Sequence, residues 1–170
     1  MNDQLLKSLV DAEKDWIINL RRTLHRIPEN GFQEFKTQRV IMEALDEIGI
    51  PYTTEKTWVI ALLKGEQPGE TVAIRADMDA LPIQEDSGLP YQSENPGCMH
   101  ACGHDGHMAM VLALAEWLAA HDDVALASAH LRVEGHGRLV EEQDFRIVQK
   151  RCGDFTAHPL TEGKLSCRRA

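Results

Sequence analysis

The sequence predicts an α/β fold, and three observations carry that reading. Two stretches of helical periodicity open the chain, two short runs of strand character follow, and "MAMVLALAEWLAA" then returns to helix. Helix, helix, strand, strand, loop, helix is the order of an α/β sandwich.

Each element has its own signal. Leu5, Leu6, Leu9, Val10, Trp16, Ile17, Leu20 and Leu24 recur at three- and four-residue steps, placing a first helix up to about His25. Pro28, Asn30 and Gly31 break it with turn chemistry. Phe35, Val40, Ile41, Ala44, Leu45 and Ile48 then mark a second amphipathic helix that stops at Gly49. The apolar run Trp58 to Leu63 reads as a buried strand closed by Lys64-Gly65, and "TVAIRADMDAL" as a second strand with Asp77 and Asp79 at its exit. Met108 to Ala120 is too short to span a bilayer and contains Glu116, so it reads as a buried helix. Past Asp122 the periodicity fades, and "VALASAHLRV" suits a strand as well as a helix.

With 170 residues the chain is long enough for one domain with a real core. Its net charge of -9 argues against a nucleic-acid surface, and all of that charge falls in residues 1–121, the remainder being balanced. No signal peptide or membrane span is visible, which points to a cytoplasmic protein with no membrane partner. In that compartment the four cysteines read as metal ligands or free thiols rather than disulfides.

The chemistry concentrates in "CMHACGHDGH", residues 98–107. Cys102 and His104 lie two apart just before a helix, whose N-terminal partial charge favours a thiolate. Thiolate and imidazole together suit Zn and neighbouring first-row metals. In open α/β sheets ligands sit beyond the carboxyl ends of the strands, where Asp77, Asp79 and this loop all fall. Two other readings compete: an ordinary polar loop, and a nucleophilic Cys102 activated by His100 or His104. The second suffers because a histidine two residues away seldom has the geometry of a base.

Three segments in order, "RRTLHRIPENGFQEFKT", "VAIRADMDALPIQE" and "MHACGHDGHMAMVLALAEWL", resemble the N-terminal part of the metal-dependent N-acyl-amino-acid amidohydrolases. Hippurate hydrolase and auxin-conjugate hydrolase are of this type, within the aminoacylase and carboxypeptidase superfamily. The resemblance covers roughly residues 10–120. It implies a three-layer α/β/α metallopeptidase-like catalytic domain that carries two divalent ions, Zn or Mn, with Co or Ni suiting the same donors. It also implies a small-molecule substrate, an N-acyl amino acid such as hippurate, cleaved at its amide by metal-activated water. By the same resemblance Cys102 and His104 match metal ligands, the thiolate lying between the ions. Asp79 matches an aspartate that orients neighbouring groups, and Asp77 stands where many relatives carry a histidine.

The chain also departs from that pattern. The family's catalytic Glu-Glu pair follows Pro-Ala, and no such stretch occurs here. The sole Glu-Glu after the motif is Glu141-Glu142 in "RLVEEQDF". Glu141 is therefore the candidate general base and Glu142 the candidate ligand, with a solvated helix face as the plainer reading. His130, His136 and His158 are candidate ligands by residue type alone. The resulting expectation is an N-terminal catalytic portion over residues 1–121 and a divergent tail over 122–170, as truncation or frameshift would give, without the inserted dimerisation domain. Such a chain is expected to be weakly active or inactive alone, and its uncovered edges invite self-association. Two alternatives remain: a non-enzymatic domain whose Cys98, Cys102, His104 and His107 close a structural metal site, and an inactive partner subunit that lends Asp79, Cys102 and His104 to a shared site.

Overall fold

A computed structural model describes residues 3–65, 71–121 and 128–134. Contacts divide the chain into a unit Met1–His136 and a unit Gly137–Ala170. All that follows concerns the first. Its elements are α1 (Asp3–Arg26), α2 (Phe35–Ile48), β1 (Tyr52–Glu55), β2 (Trp58–Lys64), β3 (Thr71–Asp77), α3 (His104–Ala120) and β4 (Ser128–Glu134). The α/β class expected from the sequence is the class observed.

The four strands form one sheet in the order β1-β2-β4-β3. β1 and β2 make an antiparallel hairpin that closes from Glu55 to Trp58, with Lys56 at a φ of 53° in its turn. β1 carries no apolar pattern in the sequence, because Tyr52, Thr53, Thr54 and Glu55 offer no buried face and three of the four are exposed. β4 inserts between β2, to which it is antiparallel, and β3, to which it is parallel. The ambiguous stretch after Asp122 thus resolves in part as a strand, and seven residues of the segment expected to be a tail complete the sheet.

Why these segments fold as they do is local. α2 ends in paired bonds, Gly49 N–H to the Asp46 carbonyl at 3.2 Å and Ile50 N–H to the Leu45 carbonyl at 3.0 Å, with Gly49 at a φ of 83°. That left-handed cap costs glycine nothing, whereas any Cβ there is strained. Gly49→Ala is expected to lower the unfolding free energy by about 1–2 kcal/mol in urea titration; an unchanged midpoint would show that the cap relaxes freely. The start of α2 is held from outside the helix. Glu29 accepts the N–H groups of Lys36 and Thr37, both at 2.9 Å, supplying an anion to the positive end.

The core joins the three helices and the sheet: Leu24 of α1, Ile41 and Leu45 of α2, Val59 and Ala61 of β2, Ala76 of β3, and Met108 and Leu112 of α3 are all buried. β2 is not the uniformly buried strand its apolar run suggested. Val59 and Ala61 are buried while Trp58, Ile60 and Leu62 are half-buried, so one face packs more tightly than the other. α3 likewise buries Met108, Ala109, Val111, Leu112 and Ala115 but leaves Met110 58% and Leu114 38% exposed, four residues apart on one face. Its far end is closed by His121, whose Nδ1 lies 2.7 Å from the Trp117 carbonyl and whose ring stacks on the indole.

Candidate metal centre

The chain leaving β3 builds the site. Ala80 donates its N–H to the Glu29 carbonyl at 2.8 Å, and Leu81 and Met99 exchange a pair of backbone bonds at 3.0 Å. These bonds clamp the segment carrying Asp79 between the α1–α2 turn and the Cys/His loop. Asp79 lies past the strand's end and is 8% exposed, while Asp77 is held on β3 by Arg75 at 2.8 Å.

His104 is the first residue of α3, not part of the preceding loop. Its Nδ1 sits 2.8 Å from the Asp79 carbonyl oxygen and 3.1 Å from Asp79 Oδ1. A proton on Nδ1 satisfies that carbonyl and leaves Nε2 as the lone-pair nitrogen, the tautomer a metal ligand needs. Cys102 is an exposed free thiol, and Gly103 between the two donors takes a φ of 87°. His107 follows one turn later with its ring 5.9 Å from that of His104.

The donor set fits a divalent ion in kind: a thiolate-forming sulfur and an oriented imidazole beside a carboxylate. It is not a closed centre. Among the described residues no three His, Cys, Asp or Glu side chains converge on one point. Cys98 is buried with its sulfur 3.7 Å from Asn30 Oδ1, and burial pushes its thiol up, away from the thiolate a ligand requires. Glu141, Glu142, His136 and His158 lie outside the described residues, and of His130 only the backbone in β4 is described.

Behind the donors is a buried ionic network that the sequence reading did not assign. Asp105 is wholly buried, and its Oδ2 stands 2.7 Å from His25 Nδ1 and 2.8 Å from Arg21 Nε. His25 Nε2 faces Glu85 Oε1 at 3.2 Å, so each ring nitrogen has a carboxylate to donate to. Burial alone would raise Glu85. Donation from the Ser87 hydroxyl, the Ser93 N–H and His25 outweighs it, and the carboxyl lies below its usual range. His100, packed 6.4 Å from the His25 ring, has no hydrogen-bond partner on either nitrogen, and burial drives its imidazole down to about 4. The spacing of Arg21 and His25, one helical turn apart, was the available signal for this network; the partners come from 60 and 80 residues away.

Residues 73–134 match the model of peptidase family M20/M25/M40. The chain is 52% identical over 118 residues to an N-acyl-L-amino acid amidohydrolase of Geobacillus stearothermophilus, covering 68% of this chain and 32% of that protein. It is 41% identical over 160 residues to thermostable carboxypeptidase 1 of Saccharolobus solfataricus, covering 92% and 38%. The crystal structure of the Bacillus subtilis YXEP protein, described as a dinuclear metal binding peptidase from the M20 family, superposes with a TM-score of 0.71 at 40% identity, covering 74% of this chain and 36% of that one. The chain therefore spans about a third of the length of these relatives. By the family-model match, these relatives and the shared fold together, this chain belongs to peptidase family M20/M25/M40.

Proposed function

We propose that this chain carries part of the active centre of a metal-dependent amidohydrolase acting on N-acyl amino acids. The observation that supports it most directly is the His104 ring, fixed by the Asp79 carbonyl at 2.8 Å with Nε2 left to a metal. The relatives' names, N-acyl-L-amino acid amidohydrolase and N-acetyldiaminopimelate deacetylase, support the substrate class, and hippurate is its simplest probe.

In this reading Cys102 and His104 hold the ion, and Asp79 orients His104. A divalent ion bound there supplies Lewis-acid polarisation of the scissile carbonyl and acidifies water. The remaining work falls to the protein. A carboxylate must take the proton from water and pass it to the departing amine, and Glu141 is the candidate for that step, with Glu142 as a further ligand. Because the described donors number two beside one carboxylate, the chain by itself is proposed to bind metal and turn over little.

The test is metal content and hippurate hydrolysis by the purified chain with added Zn or Mn. Bound metal with little or no turnover is expected. Robust turnover would show that the residues past 121 complete the centre, and absence of bound metal would remove the reading altogether.

A further inference from the structure

The start of α3 lacks a side-chain cap. Gly103 holds the N-cap position with no hydroxyl or carboxylate to offer, so the first free N–H groups are not secured from that residue. Two other ties hold this turn. His104 reaches toward β3 through the Asp79 carbonyl, and Asp105 reaches toward α1 through His25 and Arg21. Adjacent helical residues point about 100° apart around the axis, so the two ties grip the turn from different directions. Rotation of α3 about its axis, which sets the direction of His104 Nε2, is fixed by both together.

We propose that Asp105 is a positioning residue for the metal centre. Through His25 and Glu85 it locks the first turn of α3 at the rotation in which His104 keeps its Nδ1–H on the Asp79 carbonyl and offers Nε2 to an ion. The role of the ion rests on the function proposed above; the lock itself does not. Glu85 is the remote end of the same chain of contacts, tied to His25 at 3.2 Å and to the Ser93 N–H at 2.6 Å. A change at Glu85 reaches His104 through His25 and Asp105.

The experiment is nitrogen-15 NMR of the histidine rings of the metal-free chain, with His104 identified from the His104→Gln spectrum. It is run on wild type, Asp105→Asn and Glu85→Gln, each under conditions where circular dichroism shows it folded, together with a cobalt(II) titration. In wild type the His104 signals report the Nδ1–H tautomer. In Asp105→Asn the Nε2–H tautomer gains population, and cobalt affinity falls roughly 10–100-fold, the usual cost of losing an outer partner. Glu85→Gln shifts the tautomer the same way by less, and decides the matter if Asp105→Asn does not fold. A folded variant that keeps the wild-type His104 signals overturns the proposal, as does a wild-type Nε2–H tautomer. A tautomer shift in a chain that binds no cobalt would uphold the lock and defeat the metal reading instead.

Discussion

Cys102→Ala is expected to abolish the sulfur-to-metal charge-transfer band of the cobalt-loaded chain and to weaken ion binding by more than the roughly 10–100-fold that loss of an outer partner costs. The thiol is the soft donor proposed to act beside the His104 imidazole, and it is exposed and in no disulfide. Removing it leaves His104 Nε2 without its thiolate companion, and an imidazole deprived of that donor binds first-row ions more weakly. Cys98→Ala serves as the control, because Cys98 is 6% exposed and directed at Asn30, and its band should match wild type. Absorbance titration distinguishes the outcomes: a band surviving in Cys102→Ala would place the metal elsewhere.

Met108→Ala carries the largest expected loss of stability, about 2–5 kcal/mol, the range for truncating a fully buried side chain. Met108 is 0% exposed and lies one turn after His104, where α3 packs onto the core shared with α1, α2 and the sheet. Against a total stability of order 5–15 kcal/mol that is a large fraction. The urea midpoint should fall with little change in slope. A loss below about 1 kcal/mol would mean that the core closes around the void, contrary to the dense packing of protein interiors. Met110, only two residues on but 58% exposed, should tolerate the same change within about 0.5 kcal/mol.

Most of the helical architecture was legible in the residues because helices advertise themselves locally. The stop at Gly49 and the onset of α2 at Phe35 agree with the periodicity, and Gly49 makes the cap that its residue type suggests. The onset of α3 was read four residues late, since Cys102, His104 and His107 look like loop chemistry in one dimension. In three dimensions, backbone bonds from Gly106 and His107 to the Gly103 carbonyl start the helix there. β1 left no signal because an edge hairpin with one half-buried residue needs no apolar pattern.

The site divides the same way. Cys102, His104 and Asp79 are legible because donor chemistry and spacing are properties of the chain, and the ordered motifs fix the family. That His104 faces Asp79 through a backbone carbonyl is not legible, since a carbonyl has no residue identity and becomes a partner only when the strand exit and helix start meet. The same holds for Asp105, His25 and Glu85. Each is an ordinary polar residue in sequence, and burial alone makes their pairing obligatory, because an unpaired charge in the interior costs far more than the bonds return. The sequence by itself determined the α/β class, the family and the candidate donors. The tertiary structure decided which candidate donor is oriented, which thiol is exposed and which carboxylates meet His25, because these depend on contacts between segments 25 to 80 residues apart.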